Sequence, residues 1–394
     1  MSTAAQGQPD TIAAPRRPFA PLSSQASAHL NMLRAVAAFA VLLGHWRNLF
    51  FVDWPDVRGK NFVLEAFYFL TKFGHEAVVV FFVLSGYLIG RSVVRAIRDG
   101  KWSVKHYTFH RIVRLELVLL PALILCWMWD TAGVRLFPHS PIYMGTSGIT
   151  ILLYKIPDWI SFRTFLGNLA FLQTIVVTPF GSDNPLWSLA NEFWYYVLFP
   201  CMVMALLPRF GRMKRLLSAL LFIGAGLFIG KWIMGGFLIW LLGIALIFLP
   251  AVRRLRGGRY LAFFALSILL VFAQLLLTAD PRKIEGSINT DYVLGIVVTV
   301  LLYALLHAPR GVGKAYEKFA KRTAGFSYTL YLTHLPLLVF CAAWMKHREQ
   351  PDWKYVATPL LILGVTVAYS YGVAMLFEHR TDSIRKRLET KFNL

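Results

Sequence analysis

Residues 30–51 read LNMLRAVAAFAVLLGHWRNLFF, and this stretch decides the fold class. Its 22 residues would reach roughly 33 Å as a helix, enough to cross about 30 Å of hydrocarbon. Arg34 and His45 lie eleven residues apart within it. That is close to three helical turns, so both project from one face, about 16 Å apart along the axis. Between them stand Ala35, Ala37, Ala38, Ala40 and Gly44, small residues that let a second helix approach closely. Ionisable side chains inside a span are costly and face a cavity or a partner. The bland alternative is an Arg34 that snorkels to one surface and a His45 hydrogen-bonded at the other.

Similar apolar runs recur along the chain. Of the 394 residues, 57% are hydrophobic and only 15% charged, where a soluble domain carries about 25% charged residues. The runs predict an all-α polytopic membrane bundle of about ten spans, at 30–51, 75–95, 113–133, 187–207, 216–231, 235–250, 260–279, 291–307, 324–345 and 355–377. The fifth and sixth are expected as a tight hairpin around Lys231, Trp232 and Gly235–Gly236. No alternating pattern suggests a barrel, and no internal repeat is evident. A further apolar stretch, 160–178, contains Arg163, Asn168 and Gln173. If it does not span, the basic links 91–114, 209–215, 253–259 and 310–322 and the tail from Arg380 all fall on one side with the N-terminus. That arrangement obeys the positive-inside rule and places both termini in the cytoplasm. Residues 1–28, rich in Ala, Pro, Ser and Gln, read as a disordered cytoplasmic tail, 29–379 as the membrane domain and 380–394 as a basic cytoplasmic tail.

The net charge of +21 sits in short clusters between apolar runs, which suits topology signals and anionic lipid headgroups rather than nucleic acid. Cys126, Cys201 and Cys341 fall inside apolar runs without CxxC spacing, so no disulfide framework and no metal site is expected.

Five segments in order resemble one family. Arg34-x10-His45 resembles the Arg/Lys-x10-His signature of the acyltransferase 3 family of membrane O-acyltransferases. Phe81-Phe82-Val83-Leu84-Ser85-Gly86-Tyr87 is similar to its FFxLSGF segment, and Arg111 with Arg114 to its basic motif opening the third helix. Trp187-Ser188-Leu189-x-x-Glu192, with Tyr196 and Pro200, resembles WSLxxE…Y…P, and Ser327 to Pro336 resembles SYxxYLxHxP. The chain departs from the family pattern at Val79 and Phe193, where acidic residues are common, and at Glu116, where proline is.

The resemblance implies an enzyme of the bacterial inner membrane. It would move an acyl group, acetyl by default, from cytosolic acyl-CoA to a hydroxyl of a cell-surface polysaccharide or related glycan, in company with polysaccharide biosynthesis machinery. Such transfer needs a base near the nucleophile and positive charge for the CoA phosphates. His45 is the expected base, because imidazole titrates near physiological pH. Arg34, Arg111 and Arg114 are expected to hold the donor through guanidinium–phosphate bonds; for the latter two, topology charges are an equal alternative. Glu192 is expected level with His45, orienting its ring or contacting the acceptor, or else as a solvated interfacial carboxylate. His75 and Glu76 are candidates for the outer mouth, with an interfacial role as the alternative. Trp187 and Tyr196 suit either an aromatic belt or a sugar ring. His334 reads as packing or substrate lining, and Ser85 as a small residue at a helix contact, since LSG is not a nucleophile elbow. Two competing readings are a secondary transporter with buried Arg and His and a membrane-bound O-acyltransferase of the other large class.

Overall fold

The computed structural model describes residues 22–249, 257–278, 288–309, 311 and 313–392. Thirteen α-helices run through them: α1 (Ser24–Phe50), α2 (Phe62–Leu70), α3 (Gly74–Arg98), α4 (Val104–Leu136), α5 (Phe162–Leu169), α6 (Leu186–Leu206), α7 (Arg212–Phe248), α8 (Gly258–Thr278), α9 (Ile288–Leu306), α10 (Lys314–Ala324), α11 (Ser327–Met345), α12 (Ala357–Leu376) and α13 (Thr381–Phe392). Nine helices among the described residues are long and apolar enough to cross a membrane. The chain is a multi-pass, all-α membrane protein.

One of the nine is two helices in sequence. At Gly230 the backbone turns through φ 77° and ψ 175°, a conformation open essentially to glycine alone. The α7 halves then fold back on each other. The rings of Phe222 and Phe237 lie 6.2 Å apart, whereas fifteen residues of straight helix would separate them by roughly 22 Å. This is the hairpin expected between 216–231 and 235–250, with its turn at the edge of the expected Lys231 junction.

Helix bounds elsewhere match the apolar runs to within a few residues, with three differences. α4 begins at Val104, not near 113, because Ser103 caps it by accepting from the His106 amide at 3.3 Å; the polar first turns stand clear of the apolar run. α1 begins at Ser24, inside the stretch read as a disordered tail, with Ser23 accepting from the Ala26 amide at 3.0 Å. Residues 1–21 of that expected tail lie outside the described residues. The expected basic tail after Arg380 is helical over α13. In the stretch 160–178, α5 covers only eight residues, about 12 Å of helix, and the chain then turns through Phe171 and Thr174 at φ 55° and 67°. It does not span.

The two ends of the bundle differ in charge. At the basic end, the start of α1 meets the α9–α10 link through Gln25 and Pro309. There Tyr107 of α4 donates to the Tyr196 carbonyl of α6 at 3.1 Å, and Arg215 of α7 to Ala205 O at 3.0 Å. At the far end, Phe51 bridges Glu349, and Arg348 pairs with Asp53 at 2.9 Å. The closest helix contact is α3 on α7. A methyl group on Gly86 would come within 1.9 Å of the Trp240 carbonyl oxygen, and one on Gly243 within 2.0 Å of Val83 O. Glycine at both positions lets the backbones touch. Lipid faces the outer sides, where Leu261, Leu269, Leu220 and Leu227 are exposed.

Candidate active site

α1 and α11 run side by side in parallel, tied by two polar rungs. Near the basic end Arg34 Nη2 donates to the carbonyl of Ala324, where α10 ends, at 2.9 Å. Eleven residues along α1 and ten beyond Ala324, His45 Nδ1 lies 2.8 Å from His334 Nε2. Equal rises of about 1.5 Å per residue keep the two helices in step over that length. The register of α11 is held from elsewhere in the chain. Glu378, just past α12, accepts from the Thr329 amide at 3.0 Å and its hydroxyl at 2.7 Å, satisfying a free donor in the first turn of α11.

The second rung fixes a tautomer. His334 Nδ1 is 2.8 Å from Leu330 O, and a carbonyl can only accept, so Nδ1 carries the proton. Neutral His334 then offers Nε2 as an acceptor, and His45 must donate through Nδ1–H. The rings are inclined by only 8° with centroids 5.1 Å apart, as in two imidazoles joined edge to edge. His45 Nε2 is thereby left with a free lone pair. His334 is fully buried and stands behind His45 as its positioning partner; it does not line the cavity in front.

That cavity, at the far end, measures about 470 Å³, and His45, His75, Glu76, Asn184, Trp187 and Tyr331 are among its walls. His75 Nε2 lies 3.0 Å from both carboxylate oxygens of Asp291 on α9. Its ring is nearly parallel to Trp187 at 6.2 Å. Behind this pair is a second far-end cavity of about 520 Å³, which His75, Trp187 and Asp291 also line.

Glu192 sits elsewhere. It has no contact with His45; its Oε1 accepts from Ser85 Oγ at 2.7 Å and from the Tyr196 hydroxyl. Trp240 Nε1 in turn donates to Ser85 Oγ at 3.2 Å. The cause is the start of α6. Ser182, Asp183 and Leu186 are completely buried, so the helix begins inside the bundle and Glu192 lies deeper than an interfacial start would place it. Glu192, Ser85 and Tyr196 line a cavity of about 140 Å³ together with Arg34 and Arg114. Arg34 Nε is buried there with no partner among the described residues. The two sites meet at a partition, because Val78 and Tyr331 line both this cavity and the larger one. Tyr331 is held in place by Ser188 Oγ at 2.7 Å and Pro185 O at 3.2 Å. Arg111, one turn before Arg114, faces a fourth hollow, at the basic end, with Arg91, Arg95 and Lys101, its guanidinium over the Tyr107 ring at 5.6 Å.

The structure thus divides the expected site residues. His45, His75, Glu76 and Trp187 gather at the far end. Arg34, Arg114, Glu192 and Tyr196 gather nearer the basic end, Arg111 lies in the adjoining hollow, and His334 supports His45 from behind. Sequence reasoning missed Asp291, Asn184, Tyr331 as a partition and Glu378 as a cap. It also missed Asp183, whose carboxyl oxygens are buried with no partner among the described residues. Burial pushes the Asp183 carboxyl well above the usual carboxylate range, and the neighbouring Asp130 adds to the shift.

The combination is an imidazole with a directed lone pair at one end and a guanidinium–carboxylate chamber about 16 Å away along α1. That is a layout for proton removal at one point and anion binding at another. Among known proteins, a family model described as an acyltransferase domain matches residues 28–377. One relative, "Putative peptidoglycan O-acetyltransferase YrhL" of Bacillus subtilis (strain 168), is 24% identical over 333 residues, covering 76% of this chain. The chain spans 49% of that relative's length. No solved structure matches the chain. With the family model reaching from within α1 to the end of α12, the chain belongs to the acyltransferase 3 family and is a multi-pass membrane protein.

Proposed function

We propose that the protein is an O-acetyltransferase of the bacterial inner membrane, taking its acyl group from acetyl-CoA at the basic, cytoplasmic end and passing it to a glycan hydroxyl in the far cavity. The observation that carries this reading is the hydrogen-bonded chain from Leu330 O through His334 to His45, which leaves His45 Nε2 as the free base. The acceptor hydroxyl gives its proton to Nε2 as its oxygen attacks the thioester carbonyl. The tetrahedral centre collapses with a new C–O bond and a broken C–S bond, and the imidazolium returns the proton to the departing thiolate. His334 spreads the charge of the imidazolium through the shared N–H.

Arg34 and Arg114 supply positive charge to the donor in the smaller cavity. The distance along α1 from Arg34 to His45 is one that the extended pantetheine arm of CoA covers, passing the partition at Val78 and Tyr331. The Glu192–Ser85–Tyr196 set holds the wall of that passage polar. At the far end, Trp187 offers an aromatic face to a sugar ring, with Asn184, His75 and Glu76 beside it for hydroxyl groups. The relative's name makes peptidoglycan fragments the first acceptors to try, followed by other surface polysaccharides.

The test is transfer of radiolabelled acetyl from acetyl-CoA to a glycan by purified protein. Label on the glycan with wild type and none with His45→Ala, both correctly inserted, supports the reading. Near-normal turnover by His45→Ala removes His45 as the base. Saturable uptake into vesicles with no acylated product would return the protein to the carrier reading.

A further inference from the structure

Away from the cavities that hold Arg34 and His45, the wall of the basic-end hollow that Arg111 faces carries two of a cluster of ligating side chains. His106 and His110 stand at i and i+4 on α4, on one face of the helix. Glu389 reaches them from α13, near the other end of the chain. The ligand atoms of the three all lie within 4.8 Å of one another. His106 Nε2 is 3.8 Å from Glu389 Oε1, His110 Nε2 contacts the same oxygen, and the two imidazole centroids are 3.9 Å apart. A tetrahedral zinc ion with bonds of about 2.0–2.1 Å to nitrogen and oxygen draws its ligand atoms to a little over 3 Å of one another. Two histidines one turn apart on a helix are a recurrent way of presenting a pair of ligands to that ion.

We propose that His106, His110 and Glu389 bind a divalent transition metal, zinc by the match of imidazole and carboxylate ligands, and that the ion clips α13 to α4. The His106 side chain is 53% exposed, so the ion enters from water. Three protein ligands leave a fourth position for solvent, which makes the site exchangeable rather than sealed. Arg385 is the built-in competitor: its Nε lies 3.9 Å from Glu389 Oε1, and the same guanidinium pairs with Asp382 at 3.2 Å. Metal binding therefore transfers Glu389 from Arg385 to the ion. The expectation of no metal site rested on cysteine spacing and did not weigh a histidine pair completed by a carboxylate 279 residues away. The proposal is independent of the acyl-transfer reading, and its tests do not use activity.

Full-length protein in detergent, stripped with chelator, is titrated with zinc sulfate against a competing indicator. One saturable equivalent is expected, with none for magnesium. Glu389→Gln should weaken binding by about tenfold or more, the least that even an outer-shell partner is worth. His106→Ala with His110→Ala should remove it, and Arg385→Gln should tighten it by freeing the carboxylate. Zinc should also slow tryptic cleavage at Lys386 and Arg387 in wild type but not in the double variant. Zinc uptake by wild type no greater than by the double variant overturns the site. If the double variant does not fold, Glu389→Gln and Arg385→Gln decide alone, and affinity unchanged by both overturns the site equally.

Discussion

The two cavities along α1 are built on opposite plans. The one holding Arg34, Arg114 and Glu192 is small, about 140 Å³, and its carboxylate is already committed to neighbouring hydroxyls. Ser85 and Tyr196 both donate to Glu192, and Trp240 closes the network from α7. The one holding His45 is more than three times larger, at about 470 Å³, and its base has a free lone pair. A tight, pre-wired chamber suits a narrow, constant group that must be threaded. A roomy chamber with one directed base suits a bulky group presented from outside. The same α-helix serves both because eleven residues return a side chain to nearly the same face.

The comparison breaks first at His45. His45→Ala should lower turnover by about 10²- to 10⁴-fold, the range of a lost general base, with insertion and donor affinity intact; steady-state kinetics on labelled acetyl-CoA measures both. Next comes Arg34→Ala, which loses a charge-assisted contact and should raise the KM for acyl-CoA by about 10- to 150-fold with a smaller change in kcat. A variant that altered acceptor KM instead would reverse the assignment of the two chambers. His334→Ala should lower kcat by about 2- to 10-fold, the worth of one neutral hydrogen bond, and leave both KM values alone. His334→Gln should recover part of the loss, because its amide oxygen offers His45 an acceptor again. A purely structural role for His334 would lower melting temperature without sparing KM.

The smallest effect expected is on stability. The Asp183 carboxyl is raised above its unfolded value, chiefly by burial and then by Asp130. Its contribution to folding is therefore complete below the ordinary carboxylate range and is lost as pH rises through the raised folded value. Asp183→Asn mimics the protonated acid. It should melt above wild type at pH 8, and the gap should close as pH falls to the ordinary carboxylate range.

Much of this architecture was legible in residues alone. The apolar runs located the spans, Lys231, Trp232 and Gly235–Gly236 announced the hairpin whose turn falls at Gly230, and Arg34-x10-His45 set two polar side chains on one face. What sequence did not give was pairing. His334 could be placed mid-span but not opposite His45, because the two are 289 positions apart and the chain between them decides that contact. Glu192 was set too shallow because nothing in its own helix shows that the preceding loop dives into the bundle. Asp291 reads as an ordinary helix-start acid until α9 packs beside α3. Periodicity reports which face a residue occupies, while the neighbour on that face is settled by the whole bundle.

The parallel rungs between α1 and α11 also govern the order of assembly. α1 is made well before α10 and α11, and it carries Arg34 and His45 into lipid with Ala324 and His334 still unmade. Isolated polar groups of this kind are costly in hydrocarbon, so the early bundle holds a face that nothing satisfies. The Arg34 rung can close once α10 ends at Ala324, and the His45 rung only when α11 brings His334. On the proposed reading, the His45 imidazole is thus withheld from its working tautomer until α11 is in place, and the helices from α1 to α10 alone hold no competent centre.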